Sequence, residues 1–167
     1  MATIKAATQA DIPSLYAIAN EMKAQHEAHY FERCMLEQDE GRRLIYVSES
    51  DGRAFGYVQL NLNPLYPPFR RLGIPEIQDL NVIPGFRRQG VGEALVAHCE
   101  AIARQRGSGE MGISVGLHGR FGAAQRLYVR LGYMPDGAGA AYDEVPVTMG
   151  ELKPIDDMLT LKLTKKL

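Results

Sequence analysis

Apolar positions along this chain recur with two distinct periods. In "DIPSLYAIANEMKAQHEAHYF", residues 11–31, Ile12, Leu15, Ile18, Ala19 and Met22 fall three or four apart, the spacing that lines one side of a helix. Asp11 is placed as its N-cap and Pro13 lies in its first turn. The clearest helical pattern covers 90–106, with Val91, Leu95, Cys99 and Ile102 on one face and Gly107 at its end. Another covers 121–131, where Phe121, Ala124, Leu127, Tyr128 and Leu131 share a side and Gly132 follows as a C-cap. Strand-like text appears as "RLIYVSES" and "AFGYVQLNL" around Asp51-Gly52, a dipeptide that suits a tight hairpin. The C-terminal "MLTLKLTKKL" alternates Leu159, Leu161 and Leu163 with polar residues. Residues 3–7, "EIQDLNVI" (76–83) and "MGISV" (111–115) read as short strands. "NPLYPPFRRLGIP" (63–75), with four prolines, is expected to be a loop without regular structure.

The expected order is therefore β-α-ββ-loop-β-α-β-α-β-β. Strand, helix and strand from 76 to 115 make one crossover unit, which demands a locally parallel pair, whereas the early hairpin is antiparallel. An α/β (α+β) fold with a single mixed sheet follows. A length of 167 residues suits one domain, 1–167.

Composition narrows the picture. Hydrophobic residues at 46% and charged residues at 23% describe an ordinary globular chain, and no stretch approaches the roughly 18 apolar residues that span a bilayer. The N-terminus lacks the pattern of a secretory signal, so a cytoplasmic setting without membrane attachment is expected. Cys34 and Cys99 are too few for a disulfide framework, and "HEAH" at 26–29 has no further ligand set, so no metal site is expected. The net charge of −1 argues against nucleic acid as a partner. Its distribution is uneven: residues 1–40 carry −4, and residues 84–130 carry +4. The basic excess surrounds "GFRRQGVGEAL" (85–95), where two arginines and two glycines stand at a helix start. Helix N-termini present unpaired N–H groups, glycine lets a ligand approach, and arginine adds full charge, so the stretch suits a phosphate. A dinucleotide-binding motif would need a third glycine at 95, which is leucine, and an acidic residue ending the next strand, which ends in valine.

"DLNVIPGFRRQGVGEALVAHCEAIARQRG" resembles the acetyl-CoA-binding motif of the GNAT acyltransferase superfamily, with Arg87, Gly90 and Gly92 matching its Arg/Gln-x-x-Gly-x-Gly/Ala core. "ISVGLHGRFGAAQRLYVRLGYMP" is similar to that family's second motif. The resemblance covers residues 76–135 in detail. It implies a mostly antiparallel sheet with a central, splayed parallel pair, and an N-acetyltransferase that moves an acetyl group from acetyl-CoA directly to a primary amine in a ternary complex. Arg87, Arg88, Gln89, Gly90, Val91 and Gly92 would then cradle the pyrophosphate. The strand at Leu80, Asn81 and Val82 would meet the pantetheine as an added strand does. Phe121 and Ala124 would lie beside the cofactor, Phe121 standing where relatives often carry asparagine.

An alkyl ammonium with a pKa of about 10.4 needs to lose a proton before it attacks. The resemblance offers Glu76 as general base, with Asp79 or a water chain as alternatives; strand alternation predicts that Asp79 points opposite to Glu76. Tyr128 would protonate the leaving thiolate. Candidate acceptor contacts are Arg70 and Arg71 for a carboxylate, Tyr66, Phe69 and Tyr142 for enclosure, and Asp143 and Glu144 for a second ammonium. They sit in 63–75 and in a second expected loop, "DGAGAAYDEVPVTMGELKPIDD". A monomer or homodimer is expected. The competing reading is a catalytically silent acyl-CoA-binding module.

Overall fold

The computed structural model describes residues 2–167, and its eight strands run in the order β1-β2-β3-β4-β5-β8-β6-β7 in one mixed, mostly antiparallel sheet with one parallel pair. The expected fold class is therefore met. The chain forms two compact units, each drawn from two stretches of sequence: one runs up to Leu62 and resumes at Ile77–Ile102, the other comprises Asn63–Glu76 and Ala103–Leu167.

In the first unit, β1 (Thr3–Ala6), β2 (Arg43–Ser50) and β3 (Arg53–Asn61) pair antiparallel. The β2–β3 turn is Asp51-Gly52, both at positive φ (52° and 75°), the backbone that a two-residue hairpin of matching twist requires. β3 is buried continuously from Phe55 to Asn61, so it reads as an unbroken run rather than an alternation. β4 (Glu76–Val82) follows in the sheet order, and α4 (Val91–Gln105) buries Leu95, Val96 and Cys99. Gly56 is where β3 is approached closely: a Cβ there would lie 3.1 Å from the Asn81 carbonyl oxygen and 3.4 Å from Val91.

The single helix expected over 11–31 is two helices. A one-turn 3-10 segment (Gln9–Asp11) leads into α1 (Ile12–Glu21), and α2 is Tyr30–Asp39. Between them Lys23 and His29 take left-handed backbone (φ 54° and 59°). "MKAQHEAH" is polar apart from Met22 and two alanines, so it has no apolar stripe to offset the cost of ordering a helix. α2 is anchored by Phe31, Cys34 and Met35, all buried.

In the second unit, β5 (Glu110–Gly116), β8 (Leu159–Lys166), β6 (Met134–Tyr142) and the two-residue β7 (Val145–Pro146) pair antiparallel in that order. Two loop expectations are corrected here. Residues 63–75 contain α3 (Pro67–Leu72), because Pro67 and Pro68 occupy the first turn, where fixed φ and a missing N–H do no harm; Gly73 ends it at φ 66°. The second expected loop begins as β6, so its first seven residues are strand. Phe69 of α3 lies over β5, where a Cβ on Gly112 would come within 2.4 Å of its ring. Tyr66, Phe69, Ile74 and Ala141 form a buried apolar cluster. The last helix, α5 (Gly122–Arg130), is preceded by a 3-10 turn at Gly119–Phe121.

Candidate active site

The first unit holds the basic loop. Pro84–Phe86 forms a 3-10 turn, and α4 begins at Val91. Between them Arg88 (φ 60°) and Gly90 (φ 82°) take positive φ, and Arg87, Arg88, Gln89 and Gly90 are all exposed. No protein atom lies within 4 Å of where a Gly90 Cβ would stand. Glycine is therefore used at 90 for its backbone conformation and for the open space before the helix, not for internal packing. Arg87 donates through Nε to the Val82 carbonyl (2.9 Å), and Gln89 donates to the Gly85 carbonyl (3.0 Å), so the loop holds its own shape. The Val82 carbonyl thus already has a partner.

A polar network is built on the middle and second half of β4. Asp79 has φ 52°, so strict side-chain alternation does not run through it. Its Oδ1 accepts from Asn81 Nδ2 (2.7 Å), and its Oδ2 accepts from Gln59 Nε2 (3.1 Å) and lies 3.2 Å from His26 Nε2. Asn81 also donates to the Tyr57 hydroxyl (2.9 Å), which places its side chain inside this network. Gln59 donates to the Tyr30 hydroxyl (3.1 Å) and accepts from Arg43 (2.7 Å). Burial, reinforced by the Asp79 carboxylate, pushes the Tyr30 and Tyr57 phenols far up, so both stay protonated. His26 stacks on Tyr30 with ring centroids 3.9 Å apart and planes 2° from parallel. In sequence His26 stands out only within "HEAH", which lacks a further metal-ligand set, and nothing there marks its pairing with Asp79.

The second unit holds Tyr128, Phe121 and Ala124 on or before α5. Tyr128 is 5% exposed, and burial alone raises its phenol. Phe121 stands just before α5 and packs over Gly116, where a Cβ would lie 2.1 Å from its ring; His118 is tilted against it at 4.8 Å. Glu76 is fully buried and pairs with Lys162 Nζ at 2.9 Å, both side chains at 0% exposure. The same ammonium reaches Glu144 at 2.6 Å. Asp143 and Glu144 form the tight β6–β7 turn with φ 47° and 65°. The ammonium that Glu144 holds is therefore the chain's own.

The acceptor candidates separate. Tyr66 is a core residue: it is 0% exposed, packs edge-on against Phe69, and donates to Asp136 (2.8 Å). Tyr142 donates to Asp156 (2.9 Å) with Lys153 over its ring. Arg70 and Arg71 are exposed on the last turn of α3, where cations complement the carbonyl end of the helix. Cys34 and Cys99 are buried free thiols, and burial pushes Cys99 up to about 12. Among the described residues there is no group of three or more His, Cys, Asp or Glu placed to hold a metal ion, and no helix is long and apolar enough to cross a membrane.

Comparison with known proteins gives the family and the fold. An uncharacterised N-acetyltransferase of Methanocaldococcus jannaschii is 30% identical over 104 residues, which is 62% of this chain; the match spans 43% of that relative's length. The ribosomal-protein-alanine N-acetyltransferase of Brucella melitensis has the same fold, with a TM-score of 0.72 at 20% identity over 99% of each chain. So has the PaiA N-acetyltransferase of Thermoplasma acidophilum, solved in complex with coenzyme A, with a TM-score of 0.69 at 15% identity over 100% of this chain and 99% of that one. The family model described as acetyltransferase (GNAT) matches residues 12–133, the stretch containing the basic loop, the β4 network and Tyr128, and the chain belongs to that family.

Proposed function

We propose that the protein is an acetyl-CoA-dependent N-acetyltransferase acting on a primary amine of a small molecule or peptide. The observation that carries this reading is the loop from Pro84 to Gly90. It joins exposed Arg87 and Arg88 to a glycine held at positive φ at the start of a 15-residue helix, inside a matched acetyltransferase domain. Those groups fit a pyrophosphate: the helix start offers N–H donors, and the arginines offer charge-assisted bonds. Acetyl-CoA supplies the activated acetyl group. Arg87 to Gly92 bind its diphosphate, and Leu80 to Val82 present strand backbone to its pantetheine arm. Phe121 and Ala124 offer apolar surface beside it.

Tyr128 is the proposed proton donor to the departing sulfur. Its phenol keeps its proton because burial raises it, which makes it a weak acid, so its contribution rests on holding that proton beside the sulfur rather than on acidity. Glu76 is unsuited to accepting a proton from substrate, because it is closed to solvent and tied to Lys162; we assign it to holding that lysine.

Calorimetric titration with acetyl-CoA, followed by thiol release on an amine panel, tests the reading. Binding with release on at least one amine is expected. Gly90→Glu should weaken acetyl-CoA at least ~10-fold, about 1.4 kcal/mol, by forcing a side chain into left-handed backbone and setting a carboxylate against the diphosphate. Unchanged affinity would remove this loop from the site. Binding without release on any amine would favour a silent acyl-CoA-binding module.

A further inference from the structure

Neither carboxylate on β4 is free to accept a proton. Glu76 is sealed with Lys162. Asp79 is engaged on both oxygens, by Asn81 on one and by Gln59 and His26 on the other. A carboxylate so occupied orients its neighbours. The neighbour with capacity to spare is His26. Its Nε2 faces Asp79 Oδ2 at 3.2 Å and the Tyr57 hydroxyl at 3.5 Å. An Nε2–H donated to that carboxylate leaves the lone pair on Nδ1, because a neutral imidazole has one donor and one acceptor nitrogen. The Tyr30 ring fixes the imidazole plane, and Phe31 meets it edge-on at 5.4 Å. His26 keeps 15% of its side chain exposed and borders an open cavity of about 700 Å³ between α1 and α2.

Two residues beside this pair hold left-handed backbone. Asp79 sits at φ 52° within a strand, and His29, three residues after His26, sits at φ 59°. Non-glycine residues hold such conformations where surrounding contacts over-determine them, and functional sites are where they gather.

We propose that His26 is the catalytic base of the transfer and that Asp79 is its positioning residue. The proposal rests on the acetyl-transfer reading above and names the group that reading leaves open. His26 Nδ1 takes a proton from the acceptor nitrogen as that nitrogen forms its bond to the acetyl carbon. The carbon–sulfur bond then breaks, its electron pair leaves on the thiolate, and a proton from water neutralises it. His26 returns its proton to solvent through the exposed edge of the ring. The other charged or titratable groups around it are Tyr57 on β3, Tyr30 and Glu32 on α2, Tyr16 on α1, Glu27 and His29 in its own loop, and Arg43, which reaches Asp79 only through Gln59. Glu32 is occupied by the Tyr16 hydroxyl at 2.6 Å.

The test measures thiol release from acetyl-CoA between about pH 5.5 and 9, the span over which imidazole changes charge. The acceptors are n-butylamine and the dipeptide Ala-Ala, with water as background, and acetyl-CoA affinity is measured alongside. His26→Gln should lower kcat about 10²-fold, leave affinity unchanged, abolish the acidic limb of the rate profile, and recover part of its rate on adding imidazole. Asp79→Asn, nearly isosteric, should lower kcat about tenfold with acetyl-CoA affinity unchanged, because the carboxylate no longer orients the imidazole. A His26→Gln protein with the wild-type rate and limb, or one changed only in melting temperature, overturns the proposal and leaves His26 as a latch between the α1–α2 loop and β4. Wild-type protein that fails to bind acetyl-CoA is a separate outcome, which overturns the acetyl-transfer reading and this proposal with it.

Discussion

At the scale of single residues, one side chain type takes different roles according to what surrounds it. Tyr66, Tyr57 and Tyr128 are all buried, yet Tyr66 donates to Asp136 and Tyr57 accepts from Asn81, whereas burial alone acts on Tyr128. Under the proposed function Tyr128 is the phenol that no ionised side chain perturbs, so its hydroxyl is the one left to meet the departing sulfur. Tyr128→Phe should therefore lower kcat about 10²-fold while acetyl-CoA affinity and melting temperature stay unchanged. Equal turnover would return Tyr128 to a packing role. Lys162 illustrates the same dependence: its ammonium is fully buried, answered by Glu76 and Glu144, and sits 5.0 Å above the Tyr66 ring. Partners of opposite sign, one on β4 and one in the β6–β7 turn, make that burial tolerable.

At the scale of elements, small residues decide where one segment can approach another. α3 covers β5 because Gly112 leaves room for Phe69; a Cβ at 112 would stand 2.4 Å from Cε2 and 2.8 Å from Cδ2 of that ring. Gly112→Ala should destabilise the protein by about 1–3 kcal/mol, as overpacking does, read as a lower denaturant midpoint. Combining it with Phe69→Leu should give a smaller loss than the sum of the two single changes. Strict additivity would show that the ring moves aside freely. In sequence the four prolines of 63–75 read as breakers, which hides this helix. Proline at the first two helical positions acts in the opposite sense.

At the scale of the whole molecule, stability should respond to acid through His98 on α4. Its Nε2 is buried without a partner, its ring meets Tyr46 at 4.4 Å, and burial lowers its pKa. The folded state thus prefers neutral His98, so that contribution is full above the unfolded value of about 6.5 and is lost as pH falls through the lower folded value. Urea midpoints on either side of that value should differ, and His98→Phe, which keeps an aromatic ring, should narrow the difference. An identical acid response in the variant would assign the loss to other groups.

What the sequence alone determined is what local chemistry can write. Periodicity marked α4, α5 and most strands, since burying one face constrains every third or fourth residue, or every second. Asp51-Gly52 marked the hairpin, and the order of two arginines and two glycines marked the loop before α4. Only tertiary structure decided the partners of Glu76, Asp79 and His26. Two carboxylates three residues apart look equivalent in sequence, but one meets Lys162, 86 positions away, and the other meets Gln59 and a histidine from the α1–α2 turn. That turn was itself hidden inside an expected helix, because a polar run carries no mark of the residues it will meet. Which group holds charge and which is free to move a proton depends on partners that only folding brings together.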